Sequence, residues 1–193
     1  TVVFPFSQPR RYFGGKSELL PSRNRVKIRT VSNSFVSILK NYRQVVVRGH
    51  SIADFDAIGS CLAVFRLCQI EKISCKICWE DQLVEDKARI AVESSFDKKE
   101  REDTFVSRRD VSSLITNRTL LVLVDHSDPR RSIFPEQAKK FEQIAVVDHH
   151  RLGSVMVNNA VFSHIDTSAC SASEFFTTFF RYNQKYFKML SRT

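Results

Sequence analysis

The chain has 193 residues, with 30 Lys and Arg against 21 Asp and Glu, and 42% of it is hydrophobic. That is enough apolar material for one core of ordinary domain size, which excludes disorder of the whole chain. Five Gly and five Pro leave no low-complexity tract, and the longest apolar runs, Leu120 to Val124 and Ile144 to Val147, fall far short of the ~20 residues that span a bilayer.

The first residue is Thr1 and no charged-then-apolar leader follows it, so the chain reads as a piece of a longer protein. Its net charge of +9 is uneven: residues 1–50 carry ten Lys or Arg and one acid, Glu18, whereas residues 51–193 carry 20 of each sign. After Gly14-Gly15 and Pro21-Ser22, residues 23–42 read as a helix. Val26, Ile28, Val31, Phe35, Ile38 and Leu39 recur at helical spacing beside the solvated charges Arg23, Arg25, Lys27 and Arg29. This favours an interdomain helix over a nucleic-acid arm. Gln44 to His50 is a short buried strand, and a helix with Ala57, Ile58, Leu62, Val64, Phe65 and Leu67 on its apolar face follows the acidic loop.

Ile73 to Trp79 is the next strand, residues 85–95 are helical, and Thr104 to Val106 is a weak strand. Leu120 to Asp125 and Ile144 to Asp148 are the clearest strands, each an apolar run closed by Asp, with a polar segment of helical length between them. The alternation predicts an α/β fold, a doubly wound and mainly parallel sheet with helices on both faces. In such a fold ligands gather at the carboxyl ends of the strands. Neither Gly-rich phosphate loop occurs.

The five cysteines are odd in number and scattered, which suits reduced thiols in the cytoplasm. Cys75 and Cys78 form a C-x-x-C without a second pair, inside a segment that alternates like a strand, so zinc or redox work is not expected there. The small-residue run around Cys170 opens a helix that Thr167 or Ser168 is expected to cap.

Three strands end in metal-type residues: His50, Asp54 and Asp56; Asp125, His126 and Asp128; Asp148, His149 and His150. One Asp after a strand is ordinarily a cap or turn residue. Three such clusters on one sheet edge would repel one another unless cations compensate. Mixed His and Asp donors without thiolate favour Mn²⁺ or Mg²⁺ over a structural zinc, with zinc and iron still open. Two such ions about 3.5–4 Å apart, sharing a carboxylate, suit in-line attack on phosphorus. The chemistry expected is hydrolysis of a phosphoester.

The segments GHSIADFDAIGS, LVDHSDPRR and VVDHHRLG resemble, in order, the successive motifs of the DHH phosphoesterase superfamily, over about residues 24–180. YFGGKSE followed by RNRVKIRTVSNSF, and HIDTSACSASEFF, resemble the GdpP-type, membrane-anchored cyclic-di-AMP phosphodiesterases. The resemblance implies that residues 1–22 end a preceding GGDEF-like domain, that 23–43 is a linker helix, and that 44–193 is a DHH domain. It implies that His50 and Asp54 bind one metal ion, Asp56 and His149 the other, and that Asp125 bridges them. His150 would face the scissile phosphate and Asp148 would hold a histidine tautomer. Arg151 is either a phosphate contact or a solvated charge.

Two residues depart from the family pattern: Ala53 stands where Pro is usual, and His126-Ser127 follows Asp125 where Thr-His is common. His126 is expected to pack or bind solvent. The pattern also has a further metal-binding Asp some 50 residues past the DHH triplet and a substrate-holding C-terminal domain, so the chain is expected to be a truncated DHH domain, inactive alone. The implied whole is a homodimeric, two-metal phosphodiesterase, with Mn²⁺ the leading cofactor, that converts cyclic di-AMP to pApA. A nanoRNA or single-strand exonuclease acting on short oligonucleotides, and a nucleotide-binding module without turnover, are the alternatives.

Overall fold

The computed structural model describes residues 25–151, 157 and 160–190. The expectations for residues 1–22, and for Arg23, Leu152 and Gly153, lie outside that range. Alternating elements run α1 (Arg25–Lys40), β1 (Gln44–Arg48), α2 (Phe55–Ile70), β2 (Ser74–Cys78), α3 (Asp86–Ser95), α4 (Lys98–Thr104) and β3 (Phe105–Val106). Then follow β4 (Thr119–Val124), α5 (Pro135–Ala138), β5 (Gln143–Asp148), β6 (Phe162–Ile165), α6 (Ala172–Tyr182) and α7 (Gln184–Leu190). The six strands form one sheet in the order β3-β2-β1-β4-β5-β6, every neighbouring pair parallel. The chain direction across the sheet therefore reverses between β1 and β4. At such a switch point the loops leaving the two strands diverge and open a crevice at their carboxyl ends.

Alternating side chains divide the strands between two cores. Val45, Val47, Leu120, Val122 and Val124 meet α1, α2 and α6 on one face, where Phe35, Leu39, Leu67, Phe176 and Phe179 are buried. Val46, Leu121, Leu123 and Val146 face the other way, toward Val111, Ile133, Phe134 and Phe141. Helix α1 is thus part of the main core: Phe35 is fully buried and its ring meets Phe162, Phe175 and Phe176 with centroids 5.0, 6.3 and 6.0 Å away. Val26, at its start, is 71% exposed.

The second face is covered by short turns rather than long helices. The segment between β4 and β5, of helical length in the sequence, forms a 3₁₀ turn at Pro129–Arg131 and the four-residue α5. Pro129 and Pro135 each remove a backbone donor, so no helix can run through both. The fully buried Arg48 uses the polar groups this break exposes, donating from Nη1 to the carbonyls of Ile133 and Phe134 at 3.2 and 2.7 Å. Helix α4 and strand β6 are additions that the sequence pattern did not announce. Helix α6 is capped by Ser171, not Thr167 or Ser168: its hydroxyl accepts from Glu174 N at 3.1 Å. Asp166 instead takes the Ser168 amide and hydroxyl at 3.0 and 2.6 Å in the turn before it. Among the described residues no helix is long and apolar enough to cross a membrane.

Candidate metal centre

The crevice at the switch point is lined by the loops after β1, β4 and β5. Gly49 lets the first of these leave the sheet, because a Cβ there would lie 3.0 Å from the Ala57 Cβ on α2. The His50 ring binds the Ser51 carbonyl through Nδ1 at 2.9 Å. A carbonyl only accepts, so Nδ1 carries the hydrogen and Nε2 is the atom turned to the crevice. That Nε2 lies 3.3 Å from Asp125 Oδ2 and 3.8 Å from Asp54 Oδ1. The hydrogen bond to Asp125 raises the His50 pKa above its ordinary value against the opposing effect of burial.

Asp54 is also the N-cap of α2, accepting from the amides of Asp56 and Ala57 at 2.9 and 3.0 Å. The cap reading and the site reading of this residue are therefore both met by one carboxylate, whose side chain remains 43% exposed. Asp56, in the first turn of α2, turns the other way. Its Oδ2 accepts from Ala172 N at 2.8 Å and its Oδ1 from Ser173 N at 2.7 Å, both at the start of α6.

Asp125 sits at the centre. Its backbone is left-handed, with φ 61°, and its amide donates to Val147 O at 2.9 Å, which ties the end of β4 to β5 and presents the carboxylate between two imidazoles. Oδ1 lies 3.3 Å from His149 Nε2 and 3.7 Å from His150 Nδ1. Burial raises the Asp125 pKa; the hydrogen bond to His50 opposes this, and the charges of Asp56 and Asp54 add to it. Its Oδ1 is buried and accepts no hydrogen bond among the described residues. An unpartnered carboxylate oxygen facing imidazole nitrogens fits a cation far better than it fits solvent-free burial, which costs an unpaired polar atom about 1–3 kcal/mol.

Asp148 closes the third strand. Its Oδ1 accepts the amides of His149 and His150, at 2.8 and 3.1 Å, and His150 Nδ1 at 2.8 Å. Burial alone would raise its pKa, but the bonds from His150 and the Ser127 hydroxyl pull it below the ordinary carboxylate range. It therefore stays charged and fixes the His150 tautomer, leaving Nε2 of that ring unprotonated when neutral. The rings of His149 and His150 stand with centroids 4.3 Å apart.

Two donor groups result that are compact enough to hold an ion: His50, Asp54 and Asp125, and Asp125, His149 and His150. Asp125 belongs to both. Asp56 lies beside the second, its Oδ2 being 3.6 Å from His149 Nε2. Arg151 is exposed. Asp128 is in neither donor group: its Oδ2 lies 2.7 Å from Arg130 Nη2 and its side chain caps the turn by accepting from Arg130 N. His126 is buried; its Nδ1 binds Val124 O at 2.8 Å and burial lowers its pKa to about 4, so the ring is neutral. The backbone amides that hold Asp56 were not legible as site groups. The S-x-x-E spacing of Ser171 and Glu174 is the one sequence signal that marks the start of α6 there.

A parallel sheet that gathers carboxylates and imidazoles at its switch point is an arrangement that can hold divalent cations. The chain belongs to the DHH family: the model of that family's N-terminal domain matches residues 44–192. DHH phosphoesterases are metal-dependent hydrolases, and the donor groups above are consistent with that. It is 24% identical over 179 residues to the cyclic-di-AMP phosphodiesterase GdpP of Bacillus subtilis, covering 93% of this chain and 27% of that protein. It is 28% identical over 172 residues to the cyclic-di-AMP phosphodiesterase PdeA of Listeria monocytogenes, covering 89% of this chain and 26% of that one. The chain thus spans about a quarter of these relatives. Among solved structures, an exopolyphosphatase-related protein from Bacteroides fragilis superposes with a TM-score of 0.62 at 17% identity, over 82% of this chain and 45% of that one, and shares the fold.

Proposed function

We propose that this chain supplies the metal-binding part of a two-ion phosphodiesterase that hydrolyses cyclic di-AMP to pApA. The observation that carries the reading is Asp125, a buried carboxylate shared by two donor groups, one of whose oxygens accepts no hydrogen bond among the described residues. The choice of substrate rests on the relatives named as cyclic-di-AMP phosphodiesterases and on the matching loop motifs.

In this reading His50, Asp54 and Asp125 hold one ion, and Asp125 and His149, with Asp56 beside them, hold the other. Bound divalent ions, Mn²⁺ foremost, would supply Lewis-acid activation of water and of the phosphorus centre. The chain's own residues position these groups. His50 presents Nε2 because Ser51 O fixes Nδ1, and His150 faces the substrate with a tautomer fixed by Asp148. Arg151 is a rim charge available to a phosphate.

The test is incubation of the full-length protein with Mn²⁺ and a panel of cyclic di-AMP, cyclic di-GMP, pApA and a short oligoribonucleotide, with identification of products. Accumulation of pApA from cyclic di-AMP is expected. Stepwise release of mononucleotides from the oligonucleotide, with the cyclic compounds left intact, would contradict the substrate assignment and favour an exonuclease.

A further inference from the structure

Among the described residues, Asp56 is the one acidic residue of the crevice whose two carboxylate oxygens are both taken by the backbone of another element. Its Oδ2 accepts from Ala172 N at 2.8 Å and its Oδ1 from Ser173 N at 2.7 Å, contacts that span 116 and 117 residues of sequence. Ala172 and Ser173 are the first two residues of α6, an 11-residue helix whose own cap, Ser171, uses its hydroxyl on the Glu174 amide. The first amides of a helix have no partner within it, and its positive end attracts an anion. Asp56 satisfies two of these amides. Each carboxylate oxygen has two lone pairs, so one on Oδ2 remains for the side facing His149 Nε2 at 3.6 Å.

From this juxtaposition we infer that the amino-terminal amides of α6 are a positioning element for Asp56, fixing the carboxylate plane so that Oδ2 is aimed at the His149 side of the metal centre. The inference rests on the two-ion reading given above. The physical reason is orientation. A carboxylate at the start of α2 can rotate about two side-chain bonds, and two charge-assisted hydrogen bonds from a rigid helix end select one orientation before any cation arrives. Helix α6 is itself held against the sheet by Phe175, Phe176 and Phe179, all buried. The amide pair is therefore a fixed frame rather than a mobile loop. Supporting groups of this kind are worth about 10–100-fold in metal affinity.

Ala172→Pro gives a specific test. The position is the first of the helix, where Pro is tolerated, and Ser171 before it is already extended at φ −159° and ψ 158°, as a residue preceding Pro must be. The substitution deletes the Ala172 N–H and sets the ring against Oδ2, while Ala172→Gly keeps the amide. Mn²⁺ binding to the full-length protein is followed by calorimetry. Wild type and Ala172→Gly are expected to bind two ions alike, whereas Ala172→Pro keeps the tighter ion and loses at least tenfold in affinity for the other. Two ions bound by Ala172→Pro with wild-type affinities would overturn the inference. A wild-type protein that binds a single ion would overturn the two-ion reading, and this inference with it. Hydrogen exchange of the wild-type peptide spanning 170–176 decides the matter without the variant: protection already present in the metal-free protein supports the fixed amide frame, and amides that exchange freely there and become protected only as the second ion binds overturn it.

Discussion

The Asp125 carboxylate and the His50 imidazole face each other across the switch point of the sheet, Oδ2 to Nε2, at 3.3 Å. In the absence of a cation they satisfy each other, and the raised pKa values of both groups make a shared proton the natural substitute for an ion. The other oxygen of Asp125 accepts no hydrogen bond among the described residues, and His149 Nε2 stands 3.3 Å from it.

Asp125→Asn is expected to lower Mn²⁺-dependent hydrolysis by the full-length protein at least ~10³-fold, on the scale of losing a centrally placed electrostatic group. Asn tolerates the left-handed backbone at φ 61°, so the fold should survive, and the metal-free protein should melt no lower than wild type because a buried charge disfavoured by its surroundings is gone. Asp125→Ala would add a strain of about 1–2 kcal/mol at the same position. Thermal melts of the two metal-free variants beside turnover assays check both statements.

Asp148→Asn keeps an acceptor for the two amides but weakens the hold on His150 Nδ1. We expect kcat to fall about 10–100-fold with Mn²⁺ affinity nearly unchanged, since Asp148 acts through the ring and not on the ions. Metal titration and steady-state kinetics on one preparation separate the two effects.

Glu71 provides a pH prediction far from the crevice. Its carboxylate is buried between Lys185 Nζ at 2.6 Å, Lys40 Nζ at 2.7 Å and the Tyr186 hydroxyl, joining α1, the end of α2 and α7. Burial acts to raise its pKa, yet these partners win and hold it at about 2. A depressed carboxylate pKa contributes stability that is present above the unfolded value near 4.5 and is lost as pH falls toward 2. Glu71→Gln should therefore lower the melting temperature at pH 7 by several degrees, on the scale of about 1.5–3 kcal/mol for charged hydrogen bonds. The gap from wild type should close between those two pH values, as melts across the acid range would show.

Phe35→Ala tests whether α1 belongs to the core. The ring is fully buried among three other aromatics, so its removal should cost about 3–5 kcal/mol in urea unfolding. Lys27→Glu, on the exposed side of the same helix, should change stability by less than ~0.5 kcal/mol.

The strands that carry the site were legible because they are apolar on both faces and end in Asp: LLVLVD and IAVVD can be little else than central parallel strands. The loop residues His50, Asp54, Asp125, His149 and His150 came with them, since the strand ends place them on one edge. What the sequence did not carry was contact between distant backbones. The capture of Asp56 by the amides of Ala172 and Ser173 leaves no trace in side-chain identity, and the left-handed turn at Asp125 is imposed by pairing with β5. Strand β6, only four residues, one of them the exposed Ser163, lacks the apolar run that marked β4 and β5. The break between β4 and β5 was foreseeable from Pro129 and Pro135, but segment length alone suggested a helix.

A crystal structure of the Mn²⁺-loaded full-length protein, with anomalous scattering recorded at the manganese edge, tests the central claim most directly. Two peaks about 3.5–4 Å apart with the Asp125 carboxylate between them are predicted, one beside His50 and Asp54 and the other beside His149. A single peak, or two peaks with Asp125 still bonded to His50 and touching neither ion, would contradict it.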